Sequence, residues 1–221
     1  MAAITAILLS LLLTASSMLG EGEKLFLENK PQEAEIMLKE ALLENPENEK
    51  IYLYLGIIYE QLGDPQKAIR ILKRGLNAAE EYKQLFYLNL GNNLFGQEEY
   101  SLAEEMFTEA VSIDGKLESA YLNRANSRLK LEKMEGALTD YIFYLRIAPN
   151  SPQREEIEKL IALLKGFLGA EESKKQEEIQ RQKDLLNQVL NSLQNASEDT
   201  RNLSADSEQI EEEYDEIDIE D

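Results

Sequence analysis

The chain of 221 residues contains no cysteine, no histidine and no tryptophan, and only five prolines. Without cysteine and histidine it has no disulfide, no thiol nucleophile, no Ser-His-Asp triad and no zinc site of the usual ligand types. It also has no cysteine for N-terminal lipid attachment. Carboxylates are plentiful, but we expect them on solvated helix faces and in the C-terminal segment. The sequence therefore predicts no enzyme, no cofactor and no metal site.

Positive charge is scarce as well. The chain has 43 acidic and 23 basic residues, which gives a formal net charge of −20. Nucleic-acid binding requires a basic face that attracts phosphates, so this charge balance argues against it. Attraction to anionic lipid headgroups is disfavoured for the same reason. The partners that fit this composition are proteins or peptides.

One spacing recurs four times along the chain. Small residues that lie 34, 35 and 34 positions apart are each followed twelve residues later by an alanine. These repeat anchors are Gly22 with Ala34, Gly56 with Ala68, Gly91 with Ala103, and Ala125 with Ala137. A period near 34 residues indicates stacked helix-turn-helix units, which bury their apolar faces only against neighbours. We expect Gly56 to meet Ala68 where the two helices of a unit cross.

The second and third copies carry a recognisable motif. Residues 52–59 read YLYLGIIY and precede Ala68, and residues 87–94 read YLNLGNNL and precede Ala103. Both segments resemble the tetratricopeptide repeat (TPR). The resemblance implies an all-α superhelical solenoid of about four repeats, with a concave groove formed by the first helix of each. The expected repeats are about 15–48, 49–82, 84–117 and 118–151.

The first and fourth copies depart from this pattern. Glu21 and Gly22 stand in place of Leu-Gly in the first copy. In the fourth, Arg124 and Arg128 occupy positions where apolar residues are usual. The surrounding segment 123–128, NRANSR, still resembles a common variant of the motif.

The resemblance also implies which residues line the groove. Mapped through the anchors, the predicted partner-binding residues are Tyr54, Ile57, Asn89, Asn92, Phe95, Asn123, Asn126 and Leu129. Leu53, Leu88 and Leu122 fall on the same side and could instead pack between repeats. An asparagine amide both donates and accepts, so it can hold a peptide backbone whatever its side chains.

TPR domains that clamp the acidic C-termini of heat-shock chaperones place lysines beside such asparagines. Asn92 and Asn123 fall at matching places, but Leu88 and Ser119 stand where the lysines would be. A chaperone clamp is therefore not expected.

The N-terminus is apolar. Residues 2–19 carry no charge, and the run from Ile4 to Leu13 has the length of a signal-peptide core. Small residues would allow cleavage after Ser17, although no basic residue precedes Lys24. We expect residues 1–17 to be a signal peptide. An uncleaved membrane anchor and an apolar helix packed on the first repeat are the alternatives.

The C-terminal third predicts two helices and a tail. Residues 152–169 form a capping helix, whose apolar face comprises Ile157, Leu160, Ile161, Leu164 and Phe167. Gly169 is expected to end the capping helix, and a second amphipathic helix is expected at 171–195. Residues 196–221 are predicted to be disordered, because ten of the last 17 are acidic and none is basic.

These features predict a non-catalytic TPR scaffold of a bacterial cell envelope that binds a partner protein or peptide in its groove. The second helix would either fold back on the repeats or dock elsewhere. If it docks, the alternative function is a structural assembly subunit that oligomerises through 171–194. A third alternative is an enzyme or small-ligand binder that uses groove carboxylates.

Overall fold

The structure, a computed structural model, describes residues 18–214, without the side chains of residue 190 and of residues 193–214. The signal-peptide and anchor predictions concern residues 1–17 and lie outside this range. Within residues 18–214 no helix is both long and apolar enough to cross a bilayer.

The described part of the chain is helical and contains no strand, which confirms the all-α prediction. Its helices are α1 (18–27), α2 (Pro31–Glu44), α3 (Glu49–Gln61), α4 (Pro65–Leu76), α5 (Lys83–Gly96), α6 (Tyr100–Ile113), α7 (Glu118–Lys130), α8 (Met134–Ile147) and α9 (Arg154–Tyr214). The first eight helices form four consecutive pairs, one for each predicted repeat. The chain divides into two compact units, one ending at Lys165 and one beginning at Gly166.

The turn inside each pair uses the same backbone conformation. A residue with positive φ stands at equivalent places in the four pairs, and these residues are Asn29, Gly63, Glu98 and Glu132. Asparagine and glycine tolerate this region, whereas glutamate adopts it only against steric resistance. The stacking of the repeats therefore imposes the turn even where the local sequence disfavours it.

The anchors are buried at the helix crossings, as the period requires. A Cβ added to Gly56 would lie 2.4 Å from Leu72 Cδ2, and one added to Gly91 would lie 2.5 Å from Phe107 Cε1. The side chain nearest to each glycine is thus the large residue four positions after the alanine, and not the alanine itself. Gly75, which the period did not mark, has the same role between repeats, against Tyr52 and Phe86.

A buried ionic network explains the arginines of the fourth repeat. Arg124 binds Asp140 with two hydrogen bonds of 2.8 and 2.7 Å, and Arg128 Nη1 lies 2.7 Å from the same carboxylate. Arg128 Nε also donates to Glu104 of α6 at 2.8 Å. The side chain of Asp140 is only 3% exposed, so these contacts replace its hydration. They join α6, α7 and α8.

Glu104 receives a second cation from Lys133, whose Nζ lies 2.5 Å from it. Burial raises the pKa of Glu104, but the hydrogen bonds from Lys133 and Arg128 outweigh burial and hold the pKa below its usual value. Glu104 therefore stays ionised at neutral pH and serves as a counter-ion for both Arg128 and Lys133.

The start of α9 covers the last repeat. Ile157, Ile161 and Leu164 are buried, and Leu160 is partly buried against the same cluster. This cluster includes Ala125, Ala137, Tyr141, Tyr144 and Ala148. Phe167, the fifth residue of the predicted apolar face, is 50% exposed.

The predicted break at Gly169 is wrong, because α9 runs through it without interruption. A single glycine costs a helix only about 1 kcal/mol, and strong helix formers flank it on both sides. The chain contains no proline or glycine after Gly169. The helix accordingly continues to Tyr214, into the segment that the sequence predicts to be disordered. Residues 215–221 lie outside the described range.

We predict that Gly91→Ala destabilises the repeats. The added methyl group would overlap the ring of Phe107, which is fully buried. Overpacking of this kind costs about 1–3 kcal/mol, more than the helix propensity that alanine gains. Urea unfolding followed by circular dichroism would measure the loss. Gly96→Ala is the matched control, since it lies in the same helix with open space around it. Equal stability of the two variants would contradict the assigned crossing.

We predict that Asp140→Ala lowers the free energy of unfolding by about 3–5 kcal/mol, because it leaves buried cations without a counter-ion. Thermal and urea unfolding would check this value. Glu155→Ala removes an exposed pair with Lys159 and should change little. A loss for Asp140→Ala as small as that control would show that the network carries no stability.

Candidate functional site

A small pocket opens between α5 and α7, the first helices of the third and fourth repeats. Its volume is about 210 Å³. Three asparagines and two phenylalanines line it, and they are Asn92, Phe95, Phe107, Asn123 and Asn126. The asparagines come from the two first helices, whereas Phe107 comes from α6. The pocket therefore combines amide groups with aromatic walls.

Two hydrogen bonds orient the three amides. Asn123 Nδ2 donates to Asn92 Oδ1 at 2.8 Å, which links the two repeats across the pocket. The Tyr141 hydroxyl donates to Asn126 Oδ1 at 2.6 Å. Burial, with a contribution from the charge of Asp140, raises the pKa of Tyr141 to about 12. Tyr141 therefore keeps its proton at physiological pH and holds Asn126 with its amino group free.

The remaining polar atoms of these side chains have no protein partner in the described part of the chain. They are Nδ2 of Asn92, Nδ2 of Asn126 and Oδ1 of Asn123. The first two donate and the third accepts. A polypeptide backbone presents carbonyl oxygens and N–H groups that match such a set. No charged side chain lines the pocket.

Next to the pocket, Asn93 has a structural role. It is 2% exposed, and its Nδ2 donates to Glu60 at 3.2 Å and to the Asn89 carbonyl at 2.9 Å. Burial raises the pKa of Glu60, against the opposing effect of the Asn93 hydrogen bond. This contact ties α3 to α5 and sets the spacing of the helices that carry the groove.

Four of the eight predicted groove residues meet in the pocket, namely Asn92, Phe95, Asn123 and Asn126. The other four do not. Tyr54 packs edge-on against Phe26, with ring centroids 5.2 Å apart. Asn89 donates to the Leu85 carbonyl of its own helix, and Leu129 packs on the core of the fourth repeat. Ile57 is half-buried and does not line the pocket.

Two further side chains contribute to the site, and neither is among the predicted groove residues. Phe107 closes one side of the pocket although it also packs on Gly91. Tyr141 of α8 orients Asn126 through the hydrogen bond to its Oδ1. Both stand sixteen residues after their anchors, in the column that also contains Leu38 and Leu72. Among these residues only Tyr141 carries a hydroxyl, and that hydroxyl is the signal that could have identified it.

Comparison with known proteins agrees with this architecture. Two tetratricopeptide-repeat family models match residues 25–88 and 86–117. A curated relative, the DnaJ homolog subfamily C member 7 homolog of Schizosaccharomyces pombe (strain 972 / ATCC 24843), is 30% identical over 128 residues. The match covers 51% of this chain and only 27% of that protein.

Two solved structures show the same fold. The MamA protein aligns with a TM-score of 0.60 and 22% identity, over 69% of this chain and 83% of that one. The first TPR of Spaghetti (RPAP3), solved with a bound HSP90 peptide SRMEEVD, aligns with a TM-score of 0.50 and 24% identity. That match covers 55% of this chain and 95% of the RPAP3 domain. Residues 25–117 therefore carry tetratricopeptide repeats, and the four helix pairs in register form an all-α TPR array.

Proposed function

We propose that this protein is a non-catalytic scaffold that binds an extended polypeptide segment in the pocket between α5 and α7. The observation that carries the proposal is the convergence of three asparagine amides, with two donors and one acceptor unpaired, on a space walled by Phe95 and Phe107. The amides would hold the backbone of the segment. The aromatic walls would receive one apolar side chain.

The size of the pocket supports a peptide over a small molecule. Sites for small molecules usually have volumes of about 300–1,000 Å³ and enclose most of their ligand. At about 210 Å³ this pocket is smaller and accepts one side chain of a longer chain. The absence of charged groups in its lining also supports binding over acid–base chemistry.

The partner segment is expected to be uncharged where it enters the pocket. The RPAP3 domain holds an acidic peptide, and TPR domains commonly bind peptides in their grooves. In this chain Leu88 and Ser119 replace the lysines expected of such a clamp. A carboxylate would lose its hydration in the pocket without gaining a cation, which is unfavourable.

A second candidate function is structural assembly through α9. Leu185, Leu186 and Val189 are 61%, 59% and 48% exposed on this helix. Burying them against a second copy would remove this apolar surface from water. A sedimentation experiment that finds only monomers would count against assembly and leave the groove proposal intact.

We also propose an envelope location for the scaffold, exported or tethered at the membrane. The support is the uncharged stretch of residues 2–19 with its apolar run from Ile4 to Leu13. An acidic protein that lacks cysteine and histidine is compatible with export but does not require it.

We predict that Asn92→Ala combined with Asn123→Ala weakens peptide binding about tenfold or more while thermal unfolding is unchanged. Each lost hydrogen bond costs about 0.5–1.5 kcal/mol, and because the two amides pair with each other, their joint removal leaves no orphaned partner. Peptides selected from a displayed random library would serve as probes, with affinities measured by titration calorimetry.

Two arms control this experiment. Asn45→Ala combined with Asn77→Ala makes the same chemical change at exposed helix ends and should leave affinity unchanged. The peptide SRMEEVD should bind poorly, and equally so as the free acid and as the C-terminal amide. If the pocket variant retains full affinity, the pocket is not the binding site. If the protein binds the free acid much more tightly than the amide, its ligand is a peptide carboxylate and not an uncharged segment.

We predict that the protein recovered from the periplasmic fraction of a bacterial host lacks residues 1–17. Cleavage after Ser17 would leave Met18 as the first residue, and intact-protein mass spectrometry would detect the difference. Recovery of the full-length chain in the membrane fraction would indicate an uncleaved anchor instead. Full-length protein confined to the cytosolic fraction would contradict the envelope location.

A further inference from the structure

The outer face of α4 is basic. Lys67, Arg70, Lys73 and Arg74 are all exposed on it, and the helix contains no acidic residue. Their spacing of three and four positions places them on one side, opposite the buried Ala68 and Leu72. In a chain with a net charge of −20, this concentration of positive charge is exceptional.

The repeat register shows that the basic face does not belong to the TPR scaffold itself. At the position of Arg70, the other copies have Ile36, Glu105 and Thr139. At the position of Arg74 they have Glu40, Glu109 and Phe143. Like charges three and four residues apart on a helix repel each other. Lys73 and Arg74 lie in the last turn of α4, where the helix dipole favours cations, but Lys67 and Arg70 lie outside that turn and gain no such compensation.

Other residues neutralise the cluster only in part. Lys67 pairs with Asp64 at 2.7 Å, and both side chains are exposed. The Arg74 guanidinium lies over the Tyr52 ring, 5.6 Å from its centroid, which leaves the charge uncompensated. Within the described part of the chain, Arg70, Lys73 and Arg74 make no ion pair.

The sequence supplies a segment of the opposite charge. Residues 205–221 contain ten acidic residues and no basic residue, which is half of the net charge of the chain. Opposed charged surfaces of this kind steer association and fix its orientation. A nucleic acid or an anionic membrane, which extends well beyond α4, would be repelled by the negative charge on the rest of the protein.

We infer that the basic face of α4 is the docking surface for the acidic segment 205–221 of a second copy of this chain. Helix α9 continues to Tyr214, and residues 170–221 contain no glycine or proline at which the chain would turn back. A second copy can supply the acidic segment with α9 intact. This contact lies on a face that the proposed groove does not use.

The test uses full-length protein at about 0.1 M salt, where charges more than about 10 Å apart are largely screened and direct ion pairs persist. Equal amounts of ¹⁴N- and ¹⁵N-labelled protein are mixed and treated with a zero-length reagent that couples amines to carboxylates. Mass spectrometry of the digest should show Lys67 or Lys73 joined to residues 205–221, with the two isotopes combined in one product. Products that combine only one isotope would place the contact within a single copy and overturn the inference.

Sedimentation velocity tests the same contact by variants. Arg70→Glu with Lys73→Glu should weaken self-association about tenfold or more, as expected for the loss of two exposed ion pairs with charge reversal. Lys116→Glu with Lys165→Glu changes the net charge equally at exposed positions outside the segment 171–194 and should have a much smaller effect. Adding Glu211→Lys and Glu212→Lys to the α4 variant should restore association. Equal losses in the α4 variant and the control, or no restoration, would refute the docking surface.

Discussion

The close approach of neighbouring helices is the constraint on which the rest of this structure depends. Gly56 and Gly91 allow a large side chain of the paired helix to lie against the backbone, and Gly75 does the same between repeats. Each repeat can bury its apolar face only in this way, because no single pair encloses a core. The same approach sets the distance between α5 and α7, at which Asn123 reaches Asn92. Packing and candidate function therefore have one geometric origin.

The sequence predicts the architecture well because the same pattern of residues occurs four times. Small anchors, apolar faces and turn residues all recur near 34 positions, so an irregular copy is recognised from its neighbours. Glu98 and Glu132 show the limit of local preference, since they adopt positive φ in turns that the stack imposes. The continuity of α9 shows the opposite limit. There Gly166 and Gly169, without a proline or a competing contact, are too weak to end the helix.

The site was predictable only in part, for a physical reason. The register identifies which residues face the groove, but the contacts that orient them come from other helices. Tyr141 reaches Asn126 from α8, and Asp140 receives Arg124 and Arg128 from sixteen and twelve residues away. Such contacts depend on helix orientation and rotamer, which spacing does not encode. Arg124 and Arg128 replace the usual apolar residues of the motif because both bind the buried carboxylate of Asp140. The sequence shows the two arginines but does not show that Asp140 is their partner.

The central claim is that the amides of Asn92, Asn123 and Asn126 hold a polypeptide backbone. Nuclear magnetic resonance of ¹⁵N-labelled protein measures their side-chain NH₂ signals directly. On titration with a library-selected peptide, these three signals should shift together, and methylating the peptide backbone nitrogen that donates to Asn123 Oδ1 should reduce the Asn123 shift most. Unchanged signals from these amides while the peptide binds elsewhere would contradict the account.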